Sequence, residues 1–362
     1  MNRIIFPGSF NPFHLGHLHM AGIASKKYDA DVIFVPAVIS VWKSESVSFK
    51  HKVRIIELSI KDNPRFSVSD YENTLDKEVN YTVDTLRHFI KKYSQDTIYL
   101  LIGEDQVNEF HRWKEADEIA KIAKIIYYSR NGYIENDNVK RFHMEMVEGE
   151  EINASSTDIR NMKGLEYMSR DALRYIEKHG LYYFEKIKEH ISSRRLEHSI
   201  SVANLAYDVT LNNNLDCAIK AYVAGLLHDI GKEILPEDAQ KLMVEHFKEF
   251  SDLPKFANHQ FLGTLIAKKE FDASDDVIEA IKYHATGKAE MSMLGRIIYA
   301  TDKIEPTRSF DSSELIKSCM DDWSKGFIDV LRANKEFLIM KKGNKAIENR
   351  LTLDCFRYYL DE

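Results

Sequence analysis

Over the first half of the chain, short apolar runs alternate with amphipathic stretches. Arg3–Phe6, Val32–Val35, Phe66–Ser69, Ile98–Ile102 and Lys124–Tyr128 read as buried strands. Leu15–Tyr28, His51–Lys61 and Thr82–Tyr93 carry apolar residues at helical spacing between them. Alternation of this kind predicts an α/β, Rossmann-like domain with a parallel sheet covered by helices. Ligands of such sheets bind beyond the carboxyl ends of the strands. After about Tyr183 the pattern changes. Apolar residues recur at helical spacing to the end of the chain, as in Ala203–Val209, Cys217–Leu227 and Val277–Tyr283, with no convincing β run. The second half therefore reads as an all-α helical bundle. The expected domains are 1–184 and 185–362.

Composition narrows the function classes. A length of 362 residues exceeds what one core usually serves, which also favours two domains. A net charge of -7 argues against general nucleic-acid binding while leaving room for local basic pockets. Cys217, Cys319 and Cys355 have no paired spacing, which suits a reducing compartment and excludes a cysteine zinc site. The N-terminus enters a strand at once and lacks the pattern of a signal peptide. No apolar run reaches the roughly 18 residues a membrane span needs. A cytoplasmic protein is expected; the oligomeric state stays open.

The first strand runs into Gly8-Ser9-Phe10-Asn11-Pro12-Phe13-His14-Leu15-Gly16-His17. Gly8 would let the backbone approach a ligand closely, and Pro12 stiffens the loop. His14 and His17 are three apart at a helix start, so they share a face beside its free N–H groups. This is a compact donor cluster for a triphosphate. A second segment, Ser155-Ser156-Thr157-Asp158-Ile159-Arg160, reads as a capped helix start. Its N–H groups, hydroxyls and Arg160 would clamp further phosphates.

These two segments resemble those of bacterial nicotinate-mononucleotide adenylyltransferases. Asn80–Leu86, Gly103-Glu104-Asp105, Trp113 and Tyr175–Tyr182 extend the likeness over residues 1 to about 184. The resemblance implies adenylyl transfer from ATP to nicotinate mononucleotide, with magnesium accompanying the pyrophosphate. It implies an ATP site of Gly8, Ser9, Phe10, His14, His17, Ser156, Thr157 and Arg160, with His14, His17 and Arg160 serving catalysis. Lys43, Thr85, Gly103, Asp105 and Trp113 would line the mononucleotide site, Trp113 as the stacking platform. The family usually has Pro-Pro-His-Lys where this chain has Ser40-Val41-Trp42-Lys43. That leaves nicotinate against nicotinamide open.

The second half scatters metal-ligand types. His198, His228-Asp229, His259, His284 and Asp302 combine imidazole and carboxylate without thiolate. Such a set suits iron, manganese, zinc or cobalt and is large enough for two ions if Asp229 bridges. Lys232, four after His228, is expected on the same helix face, where it could hold phosphate.

Residues about 185–362 resemble the HD metal-dependent phosphohydrolases, and among them the bacterial symmetrical diadenosine tetraphosphatases. Arg195-Leu196-Glu197-His198, Leu227–Lys232, Ala280–Gly287 and Ala300–Arg308 carry that likeness. It implies a di-iron centre that cuts diadenosine tetraphosphate into two ADP. His198, His228, Asp229 and Asp302 would hold one metal; His259, His284 and the shared Asp229 the other. Arg195, Lys232 and Arg308 would bind substrate phosphates, with Lys232 catalytic. Thr301 and Lys303 depart from the expected Ala and Tyr beside Asp302 and should bear on substrate fit. Alternatives are an HD half that only senses a nucleotide, or one that acts on another nucleotide.

Overall fold

The computed structural model describes residues 1–38, 47–75, 80–129, 136–150, 152–343 and 347–360. They fall into two units, Met1–Tyr182 and Tyr183–Glu362.

Six strands build the first unit: β1 (Asn2–Gly8), β2 (Ala30–Pro36), β3 (Phe66–Val68), β4 (Thr97–Gly103), β5 (Lys124–Ser129) and β6 (Glu145–Glu148). Every pairing is parallel, in the order β3-β2-β1-β4-β5-β6. The chain winds outward from β1 to β3, then returns to β4 on the other side of β1. The switch point therefore lies between β1 and β4, where a doubly wound sheet opens a crevice at its carboxyl edge. Gly8 and Gly103 end these two strands.

Five strands match the apolar runs, and β6 is the one that the hydrophobic pattern did not predict. It reads Glu-Met-Val-Glu, with Val147 its only buried side chain. An edge strand pairs on one side only and can carry polar residues that a central strand cannot.

Three helices foreseen in this unit are present as α1 (Leu15–Tyr28), α2 (Phe49–Ile60) and α3 (Thr82–Lys92). Asp29, in the left-handed region at φ 47°, ends α1 and turns the chain into β2. Val83, Leu86 and Phe89 of α3 pack with Ile5, Leu100 and Ile102 of the sheet. Alternate residues of a strand and every third or fourth of a helix thus meet in one core.

The second unit is helical throughout, as its 3.6-residue period requires. The helices Ser193–Asn212, Ala218–Leu227, Asn258–Phe271, Asp275–Tyr283 and Met293–Ile304 bear on the site. Apolar residues cover several faces of Ala218–Leu227, where Ala221 to Leu227 are all buried. A helix apolar all round belongs at the centre of a bundle. Among the described residues, no helix is long and apolar enough to cross a membrane.

Candidate active sites

At the end of β1 the chain turns sharply, with Phe10 at φ 42° and its ring buried. That ring sits 5.4 Å from Phe6, 5.5 Å from Phe13 and 5.0 Å from His17, centre to centre. A Cβ on Gly8 would lie 2.7 Å from the Phe10 ring. The missing side chain of Gly8 thus leaves room for the Phe10 ring. Phe10 is the floor of the loop, with little surface left to offer.

His14 caps α1, and the His14 and His17 rings stack at 3.8 Å, so the two imidazoles share a face as their spacing requires. The His14 backbone N–H donates to His17 Nδ1 at 3.2 Å. Burial, with His14 beside it, holds the His17 imidazole well below its ordinary pKa. A neutral ring that accepts at Nδ1 carries its proton on Nε2. His17 is thus set as a hydrogen-bond donor by its own helix cap.

The second motif lies against the first. Ser155 caps the short helix Ser156–Arg160 by accepting from the Asp158 N–H at 3.3 Å. Ser156 Oγ donates to Pro12 O at 2.8 Å, and Arg160 Nη1 donates to Asn11 O at 2.5 Å. Arg160 Nη2 also donates to Thr157 Oγ1 at 2.9 Å, with Thr157 itself exposed. Two segments far apart in sequence thus form one latch beside Ser9 and the two imidazoles.

The residues expected at a mononucleotide site are less uniform. Gly103 ends β4 at the switch point, and Asp105 follows it, exposed. Trp113 is half-buried, 5.0 Å from the Phe110 ring, with one face in the core. Thr85 is wholly buried and donates to Glu72 Oε1 at 3.1 Å. Its hydroxyl is engaged by Glu72. Lys43 lies outside the described residues.

Glu72 and Lys52 were not singled out in the sequence. Burial raises the Glu72 carboxyl and lowers the Lys52 amine, whose Nζ donates to Ala37 O at 2.9 Å. The available signal was a lysine three before Ile55 on the buried face of α2.

In the second unit, all six expected ligands converge. His228, His259 and His284 donate from Nδ1 to the carbonyls of Gly225, Phe256 and Ile281 at 2.7, 2.7 and 2.8 Å. His198 uses Nδ1 toward Glu305 Oε1 at 3.0 Å. Each ring is oriented by its outer nitrogen and turns Nε2 inward, and in a neutral ring held this way that nitrogen is unprotonated, the form a metal requires. Asp229 Oδ1 lies 3.1 Å from His259 Nε2 and 3.4 Å from His284 Nε2. Its Oδ2 lies 3.8 Å from His228 Nε2 and 4.0 Å from His198 Nε2. Asp302 Oδ1 completes the second set, 3.2 Å from His198 Nε2 and 3.6 Å from His228 Nε2. One carboxylate thus presents an oxygen to each of two imidazole pairs.

Electrostatics fit that arrangement. Burial would raise both carboxyls, yet the surrounding imidazoles, with Lys303 beside Asp302, hold Asp229 and Asp302 well below the ordinary range. Burial lowers His259 and takes His284 down to about 3, so both rings stay neutral at pH 7. Burial also works to lower His198, but Asp302 and Glu305 outweigh it and raise the ring.

Cations ring the cluster. Arg195 Nη1 donates to Asp229 Oδ2 at 2.6 Å, and Arg308 Nη2 to Asp302 Oδ1 at 2.7 Å. Lys232 Nζ lies 3.0 Å from His259 Nε2 and 3.5 Å from Asp229 Oδ1. Its route corrects one expectation: the helix stops at Leu227, and a turn rather than a shared helix face carries Lys232 inward. Gly231 makes that turn possible, since a Cβ there would lie 2.6 Å from Gly263 N and 2.7 Å from His259 O. Lys303 Nζ reaches Asp302 Oδ2 at 2.6 Å and His284 O at 3.1 Å. Thr301 does not bear on the cleft, a second correction: it is buried with its hydroxyl on Ile297 O at 2.8 Å. These groups open into a cleft of about 850 Å³.

Glu305 is a functional residue the sequence reading missed. It is 1% exposed, orients His198, and takes the Thr307 N–H at 2.7 Å. It is the C-cap of the helix Met293–Ile304, so helical spacing from Asp302 gave no signal for it.

Comparisons with known proteins follow the same division. Residues 5–162 match a cytidylyltransferase-like family, and residues 195–307 match the HD domain. An Aquifex aeolicus protein named "probable nicotinate-nucleotide adenylyltransferase" is 36% identical over 154 residues, covering 41% of this chain and 91% of its own. The chain belongs to the nicotinate-nucleotide adenylyltransferase family. It joins that family's unit to an HD domain. A Mycoplasma genitalium protein named "probable nicotinate-nucleotide adenylyltransferase/Ap4A hydrolase" is 27% identical over 341 residues, covering 91% of this chain and 96% of its own. A Clostridium acetobutylicum crystal structure, described as a predicted HD superfamily hydrolase involved in NAD metabolism, is 29% identical. It covers 50% of this chain and 99% of its own, with a TM-score of 0.43. Among the described residues, the side-chain clusters of this adenylyltransferase–HD chain that could hold a metal ion all lie in the HD unit.

Proposed function

We propose that the chain is a bifunctional enzyme. The first unit transfers AMP from ATP to nicotinate mononucleotide, giving the deamido dinucleotide and pyrophosphate. The HD unit hydrolyses a dinucleoside polyphosphate, diadenosine tetraphosphate in the first instance, to two nucleoside diphosphates.

For the first reaction, the mononucleotide phosphate is already ionised, so no general base is required. Its oxygen bonds to the α-phosphorus of ATP in line, the bond to the bridging α–β oxygen breaks, and pyrophosphate leaves. The protein aligns the two substrates and stabilises charge on phosphate oxygens. His17 Nε2–H, His14 and the N–H groups of Arg160 left over from the latch would serve this. Magnesium has no cluster of ligand side chains among the described residues of this unit and would arrive with the triphosphate.

For the second reaction, the donor set fits two divalent ions of the iron or manganese type. Such a pair supplies a hydroxide and binds phosphate oxygens when present. Arg195, Lys232 and Arg308 offset the charge of the polyphosphate. The observation that carries this reading is the split engagement of Asp229, one oxygen toward each imidazole pair. A complete ligand set also favours turnover over mere sensing.

The test assays the whole chain for both reactions. Pyrophosphate should appear with ATP and nicotinate mononucleotide. ADP should appear with diadenosine tetraphosphate after loading with iron or manganese. Asp229→Asn should abolish ADP release and leave pyrophosphate release intact. A metal-loaded chain that releases no ADP would favour the sensor.

A further inference from the structure

The HD cleft is lined almost wholly by charged and hydroxylated side chains. Phe256 is the exception, together with the small Ala285. It lies in the one-turn helix Lys255–Ala257 just before the ligand helix, and 54% of it is exposed. Its backbone does not drift, because its carbonyl accepts from His259 Nδ1 at 2.7 Å. A large aromatic side chain, about half of it exposed, thereby rises from a fixed stretch of backbone at the wall of the metal-ligand cleft.

A phosphate chain has no use for such a ring. The phosphates are answered by Arg195, Lys232, Lys303 and Arg308. A half-exposed ring at a cleft wall matches another flat, weakly hydrated ring, and base–aromatic stacking tolerates any base because every base has a π-face. We infer that Phe256 is the platform on which the HD site stacks a nucleobase of its substrate, so that the site distinguishes nucleotides from inorganic polyphosphates by this side chain. The inference rests on the proposed reading of the HD unit as a nucleotide-directed site. Phe256 touches no reacting group in this account. It therefore acts on binding and leaves the chemical step alone.

Steady-state hydrolysis by the manganese-loaded full chain gives the first test. Phe256→Ala should raise KM for diadenosine tetraphosphate about tenfold, equivalent to about 1.4 kcal/mol, with kcat changed by less than about twofold. Phe256→Trp, which keeps a platform, should retain the wild-type KM. An unchanged KM in Phe256→Ala overturns the inference. A second measurement does not need turnover. In Phe256→Trp, the fluorescence added over wild type should be quenched by ADP and not by inorganic pyrophosphate. Equal responses to the two ligands overturn the inference. If the wild type binds metal yet does not cut diadenosine tetraphosphate, the proposed substrate fails, and the quenching experiment still decides the role of Phe256.

Discussion

At the scale of single residues, the decisive feature is how a side chain is aimed before any ligand arrives. His17 illustrates it. Its Nδ1 is spent on the cap of α1, which leaves one donor nitrogen, and burial keeps the ring neutral. A donor fixed in this way costs no reorganisation when phosphate charge develops. His17→Ala should lower adenylyl transfer by about 10²–10³-fold, in line with loss of one preorganised donor. Initial rates of pyrophosphate release at saturating substrates measure it. A turnover within about threefold of wild type would remove His17 from the machinery. The residue types of both sites were legible in the sequence, because imidazole, carboxylate and guanidinium state their chemistry wherever they stand. Direction was not legible. Thr85 donates to Glu72, and Gly8 leaves room for Phe10, because packing decides which way a hydroxyl or a missing Cβ is used. Glu305 escaped notice for the same reason: its worth lies in the His198 nitrogen it holds, a contact that no spacing rule isolates.

At the scale of elements, the sheet and the helices followed hydrophobic period closely, and the exceptions sit where period fails. β6 has four residues and one buried side chain, too little alternation to register. The helix over Ala218–Leu227 stops one residue before His228, although the apolar run gives no sign of a stop. What ends it is the close approach of the following turn to the helix Asn258–Phe271. That approach is made at Gly231, against backbone atoms of Gly263 and His259 that cannot yield as a flexible side chain would. Gly231→Ala should therefore push the turn carrying Asp229 away from the His259 helix. Overpacking of this kind costs about 1–3 kcal/mol and shifts backbone. The pair formed by His259 and His284 should suffer most, since Asp229 Oδ1 must stay near both. Metal analysis of the variant should fall from two ions per chain toward one, with hydrolysis lost. Two tightly held ions in the variant would show that the turn has room to spare.

At the scale of the molecule, the two units draw on different sources of stability. The first buries a sheet between helices, and its described residues form no side-chain cluster that could hold an ion. The second gathers four imidazoles and two carboxylates at its centre, and two of those rings are neutral because they are buried. Two buried carboxylates close together repel each other, a cost that the surrounding imidazoles, lysines and arginines lessen. Divalent ions bound only by the folded unit remove it and stabilise by mass action, about 4 kcal/mol when free metal is about 1,000 times the dissociation constant. Metal should then act on one unit alone. Two thermal transitions are expected in calorimetry of the full chain. Chelation should lower the one assigned to residues 183–362 by several degrees and leave the other in place. Asp229→Asn, with its bridging charge gone, should lose most of the dependence on added manganese. A single transition that moved as a whole with metal would mean that the units unfold together, and the separation of the two chemistries would then have no counterpart in stability. Two independent transitions, only one of them metal-sensitive, would tie the boundary after Tyr182 to a thermodynamic division as well as a geometric one.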